Sequence, residues 1–284
     1  MHAYLIMAHN EQDLLCKLLC ALDYENNCLF LHLDKKFKAD IEKIKSCVKK
    51  SKLIFTKRFN IKWGSFEMVK CELEMLKTAL NEQKFEYIHL LSGCDIPLKS
   101  QEKIYAFFDR YSGREFVSVS DKQLNFSQLS RVKFYHFFAG RRNLFNRICT
   151  KSESLIQNKF GVNRLKDLEV YRGAQWFSIT FEFAEYIVSE KDFIYKQFKN
   201  TLIPDEFFVQ TLLMNSKFKD NLFYFGEKEN IGDMRYIDWN RGHPYTFKSE
   251  DYDELTSSNC LFARKFSNEV DSEIVEKLYE RLLK

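Results

Sequence analysis

Proline, tryptophan and glycine are scarce in this sequence. It contains 3 Pro, 3 Trp and 9 Gly among 284 residues. So little Pro and Gly excludes collagen-like and low-complexity chains, and an apolar fraction of 45% excludes a disordered one. In so biased a composition each rare residue marks a segment to be examined first. These residues are Pro97, Pro204, Pro244, Trp63, Trp176 and Trp239.

An excess of one charge is also missing. The chain has 44 Lys+Arg and 40 Asp+Glu, a net charge of only +4. That balance is too even for a protein that coats nucleic acid, so we expect no nucleic-acid partner. The basic stretch between Arg131 and Lys166 keeps nucleic-acid binding open as an alternative, which strong salt-dependent binding to DNA would support.

Metal-ligand and membrane patterns are absent as well. None of the 8 Cys forms a CxxC pair, and the 6 His are scattered, so we expect no bound metal. Cysteines without such spacing are typical of buried free thiols in a reducing compartment. No apolar run reaches the roughly 18–20 residues that span a bilayer. We therefore expect a cytoplasmic protein.

The apolar segments that are present alternate between strand and helix periods. Strands are predicted at 2–8, 28–33, 53–56, 87–91, 115–119, 176–180, 222–225 and 235–237. Between them lie helix patterns, with Asn10 expected to cap the first helix and Ser65 a long one that ends near Leu80. The alternation predicts an α/β fold of Rossmann type, with a mostly parallel sheet flanked by helices. We expect a single domain over 1–284, with a less regular basic insertion at 120–172.

Polar residues follow several of the predicted strands. They are His9-Asn10, Asp34, Ser92 to Asp95, and Asp238 to His243. Ligands of open α/β sheets bind at these carboxyl ends. The sequence has neither a Gly-rich dinucleotide fingerprint nor a phosphate loop, which excludes the usual flavin, nicotinamide and P-loop enzymes. The one DxD, Asp251 to Asp253, we interpret as the acidic start of a helix.

Two further motifs carry charge beside apolar anchors. Pro204-Asp205-Glu206 has the residues typical of a helix N-terminus. It equally offers a carboxylate that can accept a proton from a hydroxyl. Arg264-Lys265 offers two adjacent cations that can neutralise a diphosphate without a metal. On the residues alone, both the structural and the functional interpretations stay open.

Eight segments occur in an order that resembles one known family. They are AYLIMAHN (3–10), CLFLHLDKK (28–36), WGSFEMV (63–69), YIHLLSGCDIPLKS (87–100), GAQWFSIT (173–180), IPDEFFVQTLL (203–213), MRYIDWNRGHP (234–244) and LFARKF (261–266). Because these segments follow one another in this order, the chain is similar to the core-2/I-branching family of β-1,6-N-acetylglucosaminyltransferases and protein O-xylosyltransferases. The resemblance implies a GT-A-like fold and an inverting transfer from a UDP-sugar that needs no cofactor or divalent metal.

The resemblance also implies a substrate class. We expect N-acetylglucosamine, ahead of xylose, to move from UDP to a hydroxyl of a glycan or lipid-linked glycan acceptor. The alternatives are a peptide or glycan xylosyltransferase, and a non-catalytic module of the same fold that binds a glycan or nucleotide.

Residue by residue, the resemblance assigns roles. Glu206 matches the catalytic base, and Lys265 matches a cation that neutralises the diphosphate. The family's second cation falls near Gly242, so Arg264, Arg241 and His243 are the candidates for it. His9, Asn10 and Asp34 match the nucleotide segments. Trp239 matches the aromatic platform under the acceptor, and the matched segments place Trp176, Asp95, Asp205 and Trp63 in the same cleft.

Two family features are missing. Animal members carry an N-terminal membrane helix and several disulfides, whereas this chain begins at its first predicted strand. The resemblance therefore implies a bacterial-type, cytoplasmic member without an anchor. Its basic middle segment would then make peripheral contact with the inner membrane, worth about 1 kcal/mol for each well-placed cation.

Overall fold

The computed structural model describes residues 1–120, 123–137, 139, 144–165, 168–224 and 232–283. Its strands are β1 (His2–Ala8), β2 (Asn27–Leu33), β3 (Lys52–Phe55), β4 (Tyr87–Ser92), β5 (Ile96–Pro97), β6 (Phe116–Val117), β7 (Phe177–Thr180), β8 (Arg235–Ile237) and β9 (Phe262–Arg264). Its helices are α1 (Gln12–Leu22), α2 (Ile41–Ser46), α3 (Glu67–Glu82), α4 (Gln101–Arg110), α5 (Phe126–Lys133), α6 (Leu144–Lys159), α7 (Phe181–Ser189), α8 (Lys191–Phe198), α9 (Phe208–Met214), α10 (Tyr252–Ser257) and α11 (Ser272–Leu283).

The main sheet has six strands in the order β3-β2-β1-β4-β7-β6. Strands β3, β2, β1 and β4 run parallel, whereas β7 runs antiparallel to both β4 and β6. The predicted mostly parallel α/β sheet is confirmed. The chain moves outward from β1 to β3 and then returns to β4, so the order reverses between β1 and β4. Such a reversal opens a crevice at the carboxyl ends of the two strands.

Helices cover both faces of the sheet because successive side chains of each strand point to opposite sides. In β1, Ala3, Leu5 and Met7 belong to one apolar core, which also contains residues of α3, α7 and α9. Tyr4, Ile6 and Ala8 belong to the other, which contains residues of α1 and α4. Burial on both faces explains why the strand sequences are continuously apolar.

A second, small sheet in the order β5-β9-β8 packs beside the main one. Buried Arg235 joins the two sheets. Its Nη2 donates to the carbonyl oxygens of Leu90 at 3.2 Å and Phe177 at 2.5 Å. The same nitrogen donates to Ser178 Oγ at 3.1 Å. These bonds hold β8 against β4 and β7, and β9, which carries Arg264, pairs with β8.

Several local predictions are wrong. Helix α1 begins at Gln12 after Glu11, which has a left-handed φ of 50°, so Asn10 is not its cap. Helix α3 follows Phe66, because the Ser65 hydroxyl donates to the carbonyl of Lys62 in the preceding turn. Within the described residues, 222–224 form no strand, and Leu222 makes only an isolated bridge with Glu115. Phe225 lies outside the described residues.

The basic middle segment is more regular than predicted. Its described residues include α5 and α6, and Asn125 begins α5 with a capping box completed by Gln128. Arg131 of α5 pairs with Glu206, and Arg164 donates to the carbonyl of Gln197 at 2.7 Å. These two arginines therefore bind other parts of the fold. Among the described helices, none is long and apolar enough to cross a bilayer.

Candidate active site

A cavity of about 350 Å³ opens at the crevice between β1 and β4. Residues at or just after the carboxyl ends of β1, β2 and β4 form one part of its wall, and loops and the end of β9 form the rest. The lining residues are Met7, Ala8, His9, His32, Asp34, Lys36, Ile61, Trp63, Met68, Ser92, Gln175, Trp176, Asp205 and Arg264. Three strand ends that are far apart in sequence thus meet at one site, as the topology requires.

Six of the site residues predicted from sequence line this cavity: His9, Asp34, Trp63, Trp176, Asp205 and Arg264. Asp95 and Glu206 contact or adjoin lining residues, and Lys265 follows Arg264. The structure does not place Asn10, Arg241, His243 or Trp239 among the lining residues.

Asp34 and His32 form a rigid polar wall after β2. The Asp34 carboxylate accepts hydrogen bonds from the backbone N–H groups of Lys36 at 2.9 Å and Ile61 at 2.8 Å. His32 accepts from the Phe59 N–H at Nε2, and burial lowers its pKa to about 4. The neutral ring therefore carries its proton on Nδ1, which has no partner among the described residues.

His9 lies in a field of opposing charges. Partial enclosure of its ring lowers its pKa, the charges of Arg264 and Lys265 lower it further, and Asp34 opposes the shift. Both cations of the 262–266 motif are therefore close enough to act on His9.

Arg264 is fixed in place by two side chains. Its Nη1 donates to Asp95 Oδ1 at 3.1 Å, and its guanidinium carbon lies 4.1 Å from the centre of the Trp176 ring. Asp95 is 1% exposed and accepts from the Ser92 N–H at 2.9 Å. Burial raises the pKa of Asp95, and the Arg264 charge opposes that shift. Stacking and ion pairing use only part of the five-donor guanidinium, so the rest is available to an anion.

Pro204, Asp205 and Glu206 form a 3₁₀ turn, which Phe207 separates from α9. The residues interpreted as an α-helix N-terminus therefore form a separate 3₁₀ turn before α9. Glu206 Oε2 accepts two hydrogen bonds from Arg172, from Nε at 2.9 Å and Nη2 at 2.6 Å. Arg131 Nη1 reaches the same oxygen at 3.4 Å. Two cations thus neutralise Glu206 beside the cavity.

Asp205, the neighbour of Glu206, lines the cavity itself. It is 6% exposed, and its Oδ1 has no hydrogen-bond partner among the described residues. Burial, followed by the charge of Glu206, raises the pKa of Asp205 to about 7. The two acids of one motif therefore occupy different environments, one ion-paired and one desolvated.

Arg241 belongs to a separate ionic cluster. Its guanidinium pairs with Asp238, Asp251 and Glu254 and stacks 4.2 Å from the centre of the Tyr245 ring. Three carboxylates already neutralise its charge. Asp251 is also the residue that precedes α10, which supports the interpretation of the DxD as a helix start. Trp239 and His243 are exposed in the same region.

The sequence patterns do not predict five of the residues at this site, which are His32, Lys36, Gln175, Arg131 and Arg172. His32 has the pattern of a core strand residue, and the two arginines have the pattern of a charged surface. Gln175 lies within the GAQWF segment and Arg172 immediately precedes it, which is the one sequence feature that points to them. Among the described residues, no group of three or more His, Cys, Asp or Glu is arranged to hold a metal ion.

The fold is an α/β domain with a cavity where the strand order reverses, and comparison with known proteins places it in a glycosyltransferase family. The family model for the Core-2/I-Branching enzyme matches residues 2–259. The chain belongs to this family.

The curated relatives include Xylosyltransferase 2 of Rattus norvegicus, 24% identical over 97% of this chain and 33% of the relative. Xylosyltransferase oxt of Drosophila melanogaster is 24% identical over 94% of this chain and 31% of the relative. The chain thus spans about a third of the length of these relatives. Among solved structures, mouse Xyloside xylosyltransferase 1 in its apo form is similar, with a TM-score of 0.39 and 11% identity over 93% of this chain and 97% of that one.

Proposed function

We propose that this domain transfers a sugar from a UDP-sugar to a hydroxyl of a glycan acceptor, with inversion and without a metal. The observation that carries the proposal is that one cavity joins the fixed cation Arg264 to the acidic turn of Asp205 and Glu206. The curated relatives are named xylosyltransferases, so UDP-xylose is the first donor to test. UDP-N-acetylglucosamine, which the sequence resemblance favours, is the second.

Arg264 and Lys265 are the proposed partners of the diphosphate. A diphosphate that leaves during transfer gains negative charge, and a cation fixed beforehand stabilises that charge without rearrangement. Arg264 meets this requirement because Asp95 and Trp176 hold it at the cavity wall. His9, Asp34 and His32 are the proposed contacts of the nucleotide.

Glu206 is the proposed general base. Its three arginine contacts all use Oε2, so we propose that the acceptor hydroxyl approaches Oε1. The hydroxyl proton passes to Glu206 as the acceptor oxygen attacks the anomeric carbon. The bond from that carbon to the diphosphate oxygen breaks, and UDP leaves with the electron pair beside Arg264 and Lys265.

A lipid-linked glycan at the cytoplasmic face of the inner membrane is the proposed acceptor. Leu155, Ile156 and Phe160 of the α6 region are exposed apolar side chains, close in sequence to Lys159. Exposed apolar side chains next to cations are typical of a surface that touches anionic lipid headgroups. Trp239, which is exposed just after β8 of the small sheet, remains a predicted acceptor platform.

The test is a donor screen that measures UDP release by purified protein, with and without EDTA. We expect turnover or slow hydrolysis of one UDP-sugar, unchanged by EDTA. Glu206→Gln should bind UDP as the wild type does and lose transfer by a factor of about 10²–10⁴. Loss of turnover in EDTA would overturn the metal-free mechanism. UDP binding without turnover of any donor would favour a non-catalytic binding module.

A further inference from the structure

One carboxylate oxygen at the cavity wall and one behind it are buried without a hydrogen-bond partner among the described residues. Asp205 Oδ1 and Glu72 Oε2 are both buried, and no donor reaches either one among the described residues. Most buried polar atoms in folded proteins are paired, because an unpaired one costs about 1–3 kcal/mol. A buried acceptor that faces a cavity is therefore a place where a ligand is expected to donate.

Gln175 links the buried Glu72 to the cavity. It lines the cavity, and its Nε2 donates to Glu72 Oε1 at 2.7 Å. Glu72 lies on α3, is fully buried, and burial together with the Asp205 charge raises its pKa well above the usual value. Glu72 thus acts as a fixed anchor for Gln175.

The backbone just before Asp205 is held in an unfavourable conformation. Ile203, two residues earlier, has a left-handed φ of 52°, a conformation that is unfavourable for a branched side chain. Its N–H donates to the carbonyl of Gly64 at 3.0 Å, and a Cβ on Gly64 would lie 3.2 Å from Ile203 Cγ1. Backbone strain that surrounding contacts maintain is a recurrent property of ligand sites.

We propose that Asp205 binds the transferred sugar, with its Oδ1 accepting a hydrogen bond from a sugar hydroxyl and with Gln175 as the neighbouring polar contact. This assignment rests on the proposed function. A carboxylate repels a diphosphate, which offers only acceptors, and it fits hydroxyl groups, which donate. Trp63 and Trp176 line the same cavity and offer flat apolar faces for a pyranose ring.

Ribose hydroxyls are the competing donors, and a binding comparison separates them from those of the sugar. UDP contains the ribose and lacks the sugar. If Asp205 binds the sugar, its loss weakens the binding of a UDP-sugar and leaves the binding of UDP alone unchanged. Loss of a hydrogen bond to a charged acceptor corresponds to a factor of about 10–100 in affinity.

The experiment is calorimetric titration of wild type and Asp205→Asn with UDP, UDP-xylose and UDP-N-acetylglucosamine. In Asp205→Asn we expect the Kd of UDP to stay within about twofold and the Kd of the better UDP-sugar to rise about 10–100-fold. Asp253→Asn, on exposed α10, is the matched control and should change no Kd. Gln175→Leu should weaken UDP-sugar binding in the same direction, and thermal melting checks that each variant is folded.

Three results would overturn the assignment. One is an equal loss of UDP and UDP-sugar affinity in Asp205→Asn, which would place Asp205 at the nucleotide. Another is unchanged UDP-sugar affinity in that variant, with UDP release still present, in which case the proposed function stands and this inference fails. A wild type that binds neither UDP nor either UDP-sugar would instead refute the proposed function, and this inference with it.

Discussion

Arg172 donates two hydrogen bonds to a single oxygen of Glu206, from Nε at 2.9 Å and from Nη2 at 2.6 Å. The next residue, Gly173, holds the same glutamate by its backbone, since its N–H donates to the Glu206 carbonyl at 2.9 Å. The loop that precedes β7 therefore fixes both ends of Glu206. A carboxylate held in this way has little freedom to change its direction.

The first prediction concerns this contact. Arg172→Lys keeps the charge and removes the planar two-nitrogen fork, so Glu206 should lose its orientation. We expect kcat to fall about tenfold or more, because misplaced catalytic groups react slowly, while KM for the UDP-sugar stays the same. Steady-state kinetics measure both. Arg131→Lys, whose contact is the longer one at 3.4 Å, should lower kcat less. A changed KM with unchanged kcat in Arg172→Lys would contradict a positioning role.

The second prediction concerns the cation for the diphosphate. Arg264→Met removes the guanidinium that Asp95 and Trp176 orient, so the Kd of UDP should rise about 10–100-fold. Arg264→Lys restores the charge without the stacking and should recover part of the affinity. Arg241→Met is the control, since its charge is already paired with three carboxylates. Titration with UDP measures the Kd of each variant. An equal rise in the Arg241 and Arg264 variants would refute the assignment of Arg264 to the diphosphate.

The third prediction concerns the close packing of Gly173, which lies in the loop before β7. A Cβ added to Gly173 would lie 1.7 Å from the carbonyl oxygen of Ser118, so Gly173→Ala must displace the backbone that carries Arg172. We expect UDP release to fall and the free energy of unfolding to drop by about 1–3 kcal/mol. Gly113→Ala has no neighbour within 4 Å and suffers only from its φ of 80°. That variant should lose some stability in urea unfolding and keep its rate of UDP release.

The parallel strands of this fold are predicted well from the sequence. The runs of apolar residues in β1, β2 and β4 can be recognised locally, without reference to distant parts of the chain. The same runs place His9 and Asp34 at adjacent strand ends. Strand direction and side-chain pairing across long separations are not local. The reversal of β7 and the pairing of Glu206 with Arg131, 75 residues away, therefore leave no periodic pattern in the sequence. The different environments of Asp205 and Glu206 depend on a 3₁₀ turn where an α-helix was predicted.

The last prediction concerns stability and pH. Glu115 is fully buried and accepts from the Thr180 N–H at 2.9 Å and the Thr180 hydroxyl at 2.6 Å. Burial raises its pKa from 4.5 to about 7, and the hydrogen bonds from Thr180 oppose the shift. The folded state therefore binds this proton more tightly than the unfolded state. The contribution of Glu115 to stability is greatest below its unfolded pKa of about 4.5 and is lost as the pH rises through about 7.

Glu115→Gln removes the titration and leaves the shape of the side chain nearly unchanged. The difference in free energy of unfolding, wild type minus variant, should fall by about 2 kcal/mol between about pH 5.5 and pH 8. Each pKa unit corresponds to about 1.36 kcal/mol. Urea unfolding at the two pH values measures this difference, and buried histidines cancel because both proteins contain them. Glu250→Gln, at an exposed position, should show no such pH-dependent difference. A pH-independent difference for Glu115→Gln would mean that the buried carboxyl is ionised across this range, as it is in the unfolded chain, and would contradict the raised pKa.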